Sequence, residues 1–199
     1  MSNPITTLND YTKTLSAALA SVSTESVQEF NNAIYWNAKY GRRIFVCGNG
    51  GSAAIAEHLT CDCMKGISMD TSISPDIVSL ASNFPLISAI ANDISYDEIF
   101  AKQLEWQGRY GEDLLIVISS SGNSPNILAA LNTAARMGIK SVSITGFDGG
   151  KAKELADVAI HIKSNNYGII EDATQAIMHF VAQSIRRECA TGNPEDIKY

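Results

Sequence analysis

"RRIFVCGNGGSAAIAEHLTCDC", residues 42–63, carries the decision about the fold. Its first seven residues form a short apolar run ending at Gly48, the pattern of a strand buried on both faces. A glycine turn follows, and then an apolar-striped stretch, 52–64, long enough to cross a sheet as a helix. Four more runs repeat the strand pattern: DIVSL (76–80), DLLIVIS (113–119), KSVSITG (140–146) and VAIHI (158–162). Helical stretches at 95–107 and 125–137 lie between them, and a last helix is predicted from about 170 to 189. Strands alternating with helices predict an α/β fold, with a five-stranded parallel sheet sandwiched between helices.

Upstream, Ile5, Leu8, Leu15, Leu19 and Val22 make a helical stripe. Ser23-Thr24-Glu25 restarts the pattern, which runs through Val27, Phe30, Ile34 and Ala38 to a stop at Gly41. The 199 residues therefore read as one domain: N-terminal helices over 1–40, an α/β core over 41–190 and a polar, loosely held tail over 191–199. Apolar residues make up 45% of the chain, enough for a core, while charged residues are only 18%, which points to surface buried in an oligomer. A net charge of -6, with Arg42-Arg43 and Arg186-Arg187 as the tight basic pairs, argues against a nucleic-acid partner. No run of apolar residues is long enough for a membrane span. The first twenty residues carry Lys13 as their one basic side chain and do not read as a secretory signal. Cys61 and Cys63 lack the spacing of common zinc pairs, so the four cysteines read as reduced thiols in a cytoplasmic protein.

Three strands end in turn-rich loops: GNGGS (48–52), SSSGNSP (119–125) and TGFDGG (145–150). In a doubly wound sheet all three lie at the carboxyl edge, where ligands bind. The serine loop offers Ser119, Ser120, Ser121, Asn123 and Ser124 around Gly122, with Ser124 placed to cap a helix that starts at Pro125. Free donors at a helix N-terminus make an anion seat, and phosphate is the natural guest. The first loop fits G-x-G-x-x-A through Gly48, Gly50 and Ala53. A nicotinamide site also wants an acid at the far end of the second strand, and Asp76 stands at the near end. Gly50 and Gly51 instead suit close approach of backbone to a smaller ligand, with Ser52 expected to cap the helix behind them.

That helix carries His58 and Asp62, spaced i, i+4 on one face. The last helix carries Glu171 and His179, spaced i, i+8, with Gln175 between them on the stripe. If the helices converge, the four residues make a metal site or an acid–base pair. His161, alternating within a strand, reads as structural.

These motifs, with AIAND at 89–93, ISSSGNSPNI at 118–127 and TGFDGGK at 145–151, resemble the sugar-isomerase (SIS) domain family, and within it the phosphoheptose isomerases. The resemblance covers nearly the whole chain. It implies flavodoxin-like layering, a homotetramer with active sites between subunits, and interconversion of sedoheptulose 7-phosphate and D-glycero-D-manno-heptose 7-phosphate through an enediol. By motif position Ser52, Ser119, Ser121 and Ser124 fall on phosphate or substrate contacts, with Asn49, Asn92 and Asp93 nearby. The family often binds zinc, and the matching ligands are His58, Asp62, Glu171 and His179, with Asp62 as base and His179 as acid or shuttle. Asp62 stands where the family has Glu, and Glu171 where it has Gln. Non-enzymatic tetrameric adaptors share the glycine and serine loops but lack the acid–base pair, so Asp62 and His179 together favour an enzyme.

Overall fold

The computed structural model describes residues 5–193. Two helices open the chain, α1 (Leu8–Ala20) and α2 (Thr24–Lys39). The core then runs β1 (Arg43–Gly48), α3 (Gly51–Cys61) with a π-helical turn (Asp62–Ile67), β2 (Asp76–Ser79), α4 (Phe84–Asp93) and a 3₁₀ turn (Tyr96–Glu98). It continues through α5 (Ala101–Gln107), β3 (Leu114–Ser119), α6 (Pro125–Met137), β4 (Lys140–Thr145), α7 (Gly150–Leu155), β5 (Val158–His161) and α8 (Tyr167–Glu188). The five strands are all parallel, in the order β2-β1-β3-β4-β5. The order reverses between β1 and β3, and the carboxyl ends of these two strands frame the crevice where such sheets bind ligands.

Alternation along the strands sorts the core into two layers. Ile44 and Val46 of β1, with Leu114, Ile116 and Ile118 of β3, pack under α1, α2, α3 and α8. Phe45, Cys47, Leu115 and Val117 face α4, α5, α6 and α7. All six residues of β3 are buried, which explains why its sequence runs LLIVIS without polar alternation. The N-terminal helices are part of the first layer: Tyr11 Oη donates to Asp172 on α8 at 2.7 Å, and Ser21 Oγ accepts from Lys163 N at 3.0 Å.

Local chemistry sets the helix ends. Thr7 and Asp10 form a reciprocal capping box on α1, Ser23 caps α2, and Asn166 caps α8. The expected helix over 95–107 is divided into the 3₁₀ turn and α5, and α4 was not expected at all. Pro85 sits in its first turn behind the Asn83 cap, where a proline costs no hydrogen bond. Of the tail, residues 191–193 are described and their start is anchored: Thr191 N donates to the Asp70 carbonyl at 2.9 Å. The rest of the tail lies outside the described residues.

The amino rim of the sheet is fastened by acids. The Asp113 side chain, fully buried, accepts from Arg43 N at 2.9 Å, Arg109 N at 2.7 Å and Arg109 Nη2 at 2.8 Å. Asp157 accepts from the Ser141 amide and hydroxyl at 2.7 and 2.8 Å. Among the described residues no helix is long and apolar enough to cross a membrane.

Candidate active site

Two loops at the carboxyl rim meet around a cavity of about 260 Å³ lined by Asn49, Gly51, Ser52, the serines 119–121 and 124, Tyr167 and Glu171. Gly50, at φ +54 and ψ −121, is the N-cap of α3. Ser52 therefore does not cap the helix as its spacing suggested. It lies within the first turn, buried at 6% exposure, and is among the residues lining the cavity. Gly51 leaves room for the Glu171 carboxylate, which a Cβ at this position would push aside.

The serine loop is braced from below. Gly122 sits at φ +64, and a Cβ on it would overlap the Gly149 carbonyl of the TGFDGG loop. Gly146 N donates to the Ser120 carbonyl, Ala152 N donates to the Gly122 carbonyl, and the Asn123 side chain accepts from Lys151 N at 3.1 Å. Asn123 is thus a brace between loops and does not line the cavity. Ser124 takes its expected position before Pro125, but its hydroxyl makes no capping bond, and the residue lines the cavity. Among the described lining residues there is no lysine or arginine, so an anion here would be held by hydroxyls, backbone N–H groups and the N-terminus of α6.

The second half of the site lies further along α3 and α8. These helices run in the same direction, so Gly51 faces Glu171 and, two turns on, His58 faces His179. His58 Nε2 and His179 Nε2 are 3.1 Å apart. Asp62 brings one oxygen to 3.3 Å from His58 and the other to 3.4 Å from His179. Gln175 Nε2 lies 2.9 Å from His179 Nε2. Donors held at 2.0–2.2 Å by a tetrahedral zinc ion are about 3.4 Å from one another, and these three side chains already have that spacing. The donor types also suit zinc, so the cluster fits the ion.

Glu171 does not join this group. The three residues whose ligand atoms come within 4.8 Å of one another are His58, Asp62 and His179. Eight residues of helix place Glu171 about 12 Å along the axis from His179, and the parallel course of α3 sets it opposite Gly51. The four-residue convergence is therefore a three-residue cluster with Gln175 beside it, while Glu171 belongs to the serine-loop cavity. Asn92 and Asp93, at the end of α4, are exposed, bond each other at 2.7 Å and do not line the cavity.

Three participants went unseen in the sequence. Tyr167 lines the cavity with its ring edge-on to Phe147, centroids 4.8 Å apart. Asn126 holds Asn49 by a pair of amide hydrogen bonds. Glu57 accepts from Ser79 and Ser82 at 2.6 and 2.8 Å, tying α3 to the end of β2. Burial pushes the Cys47 and Cys63 thiols up, which keeps them protonated and out of nucleophilic or metal chemistry. His161 accepts no role at the cluster: it reaches the Phe147 carbonyl at 3.1 Å and Lys153 at 3.3 Å.

Residues 9–146 match the SIS domain family. A protein of Akkermansia muciniphila named phosphoheptose isomerase is 37% identical over 154 residues, 77% of this chain and 80% of the relative. The structure of a phosphoheptose isomerase from Francisella tularensis superposes with a TM-score of 0.83 at 28% identity, over 90% of this chain and 96% of that one. The phosphoheptose isomerase from Neisseria gonorrhoeae gives 0.80 at 26% identity, over 89% and 93%.

Proposed function

This chain belongs to the SIS domain family, and from that membership we propose that it is an aldose–ketose isomerase acting on a phosphorylated seven-carbon sugar, sedoheptulose 7-phosphate. The observation that carries the reading is the pairing of an anion seat with an acid–base cluster on one pair of parallel helices. From Gly51 to His58 is seven residues, about 10 Å of helix. An open-chain heptose 7-phosphate spans a comparable length from its phosphate to its carbonyl end.

In the reaction a proton leaves the carbon beside the carbonyl, an enediol forms, and the proton returns to the neighbouring carbon. Asp62 takes the carbon-bound proton and delivers it back. His179, in contact with Asp62, moves protons between the two oxygens. The serine loop holds the phosphate and sets which carbon meets Asp62. His58, Asp62 and His179 would hold a zinc ion, which when bound supplies polarisation of the carbonyl and fixes the side chains. Asp62 is one methylene shorter than the glutamate of related enzymes, so the bound sugar sits closer to α3.

We further propose a cytoplasmic homotetramer. Exposed Phe84 and Ile94 on and just after α4, beside Asn92 and Asp93, support a neighbouring subunit covering that face. Incubating the purified protein with sedoheptulose 7-phosphate and following the aldose by mass-resolved chromatography tests the activity. No conversion of this sugar or of any other phosphosugar in a panel would refute it, and light scattering at the mass of one chain would refute the tetramer.

A further inference from the structure

Asn49, in the glycine turn, is aligned with substrate contacts, yet its carboxamide is mostly spent inside the protein. Asn49 Nδ2 donates to Asn126 Oδ1 at 2.9 Å, and Asn126 Nδ2 donates back to Asn49 Oδ1 at 2.9 Å. Tyr96 Oη donates to the same Asn49 oxygen at 3.3 Å. This leaves Asn49 one side-chain N–H for a ligand. Asn126 is 1% exposed, sits in the first turn of α6 directly behind Ser124 and Pro125, and does not line the cavity.

The amide ring joins two parts of the site just beyond the last paired residues of β1 and β3, Gly48 and Ile118, where the backbone ladder ends. On one side is the N-terminus of α6, which seats the anion. On the other is the turn that launches α3, whose next residue, Gly50, adopts a backbone conformation that only glycine takes readily. His58 and Asp62 ride on α3. A shift of the turn against α6 therefore becomes a shift of the acid–base cluster against the bound phosphate. A reciprocally satisfied amide pair with its Asn126 half buried resists such a shift, because sliding it leaves the Asn126 carboxamide unpaired away from water.

We propose that Asn126 is a positioning residue for the isomerisation: through its amide pair with Asn49 it registers the α3 acid–base cluster against the phosphate seat. The inference rests on the isomerase reading above. It assigns Asn126 no contact with the sugar, and it makes a distinctive separation of effects. Phosphate affinity belongs to the serine loop and stays, while turnover, which needs the two ends in register, falls.

Asn126→Ala and the isosteric Asn126→Asp are compared with Asn49→Ala and the double variant Asn49→Ala/Asn126→Ala. The expected kcat loss in each Asn126 variant is about 10–100-fold, the cost of an ångström-scale misplacement. Binding of inorganic phosphate, read by calorimetry, should stay within about twofold, and Asn126→Ala should cause no further loss in the Asn49→Ala background. Hydrogen exchange gives a readout that does not depend on catalysis: backbone amides 50–54 should exchange faster in both Asn126 variants while the amides of β3 are unchanged. Wild-type turnover in Asn126→Asp, an equal kcat loss with and without Asn49, or unchanged exchange at 50–54 would each overturn the proposal. If the wild-type chain turns over no phosphosugar, the isomerase reading fails, and the exchange measurement still decides whether Asn126 holds the turn.

Discussion

His58 and His179 meet through their Nε2 atoms at 3.1 Å although 121 positions separate them, and Asp62 lies against both. The meeting depends on α3 and α8 lying side by side and pointing the same way, so that residues seven and eight positions along each helix stay level. Asp62→Asn keeps the shape and removes the base, while His179→Ala removes the ring. Each should lower kcat by about 10²–10⁴-fold, and the double variant should fall little further, because residues acting as one unit are not additive. A coupled assay of heptose interconversion measures this. Full turnover in Asp62→Asn would remove the carboxylate from the mechanism.

Zinc should bind at this cluster with one ion per chain. Both imidazoles must be neutral to coordinate, so affinity should weaken as the pH is lowered. Metal analysis after dialysis against zinc, repeated with His58→Ala, gives the stoichiometry and its loss. Chelation should lower the melting temperature of the wild type and leave that of His58→Ala where it was. Retention of a full equivalent of zinc in His58→Ala would move the metal elsewhere.

Gly122→Ala should cost the serine loop its shape. The new Cβ would meet the Gly149 carbonyl from a backbone at φ +64, where side chains other than glycine are strained. The expected loss is about 2 kcal/mol or more of stability, read by urea denaturation, together with a rise in KM. Ser124→Ala separates the two effects, since its hydroxyl caps nothing: KM should rise while the urea midpoint stays within error. A shifted midpoint in Ser124→Ala would mean the hydroxyl is structural after all.

The bond from Tyr11 to Asp172 fixes α1 to α8 and predicts an alkaline limb in stability. The hydrogen bond to the carboxylate holds the phenol in its neutral form and raises its pKa from 10.0 to about 12. A group whose folded pKa is raised stabilises fully below the unfolded value and loses that contribution as pH climbs through the folded one. The contribution is therefore complete below pH 10.0 and fades toward about 12. Tyr11→Phe should be about 1 kcal/mol less stable at neutral pH, and the gap to wild type should close across that window. A gap that stays constant through it would deny the bond its role.

The strand cores were legible because a parallel sheet buries both faces, so Leu114–Ser119 spells itself as an unbroken apolar run. The serine loop was legible because Gly122, Ser124 and Pro125 each have a positional meaning. α4 was hidden because a proline has opposite meanings in the first turn of a helix and in its middle. The fate of Glu171 was also hidden. Helical spacing tells which face a residue shares, but how far along a partner helix it arrives depends on whether the two run parallel or antiparallel, which is a tertiary fact. Asn126 gave no signal at all, since an asparagine in a first turn looks like any other until its amide partner, 77 positions away, is known.

The acids at the amino rim stand at the opposite end of the strands from the loops that line the cavity. Asp113 and Asp157 clasp the beginnings of strands, a sheet's length from the cavity at their carboxyl ends. Inheritance can therefore rewrite one end without disturbing the other. Substitutions that raise heat tolerance can accumulate around Asp113 and Arg109 at no cost to turnover, and changes of sugar preference can accumulate among the three rim loops while the clasp keeps the chassis folded. An engineer seeking a more robust catalyst has reason to keep Asp113 and work among the exposed residues around it, and one seeking a new substrate to begin at Tyr167 and Glu171.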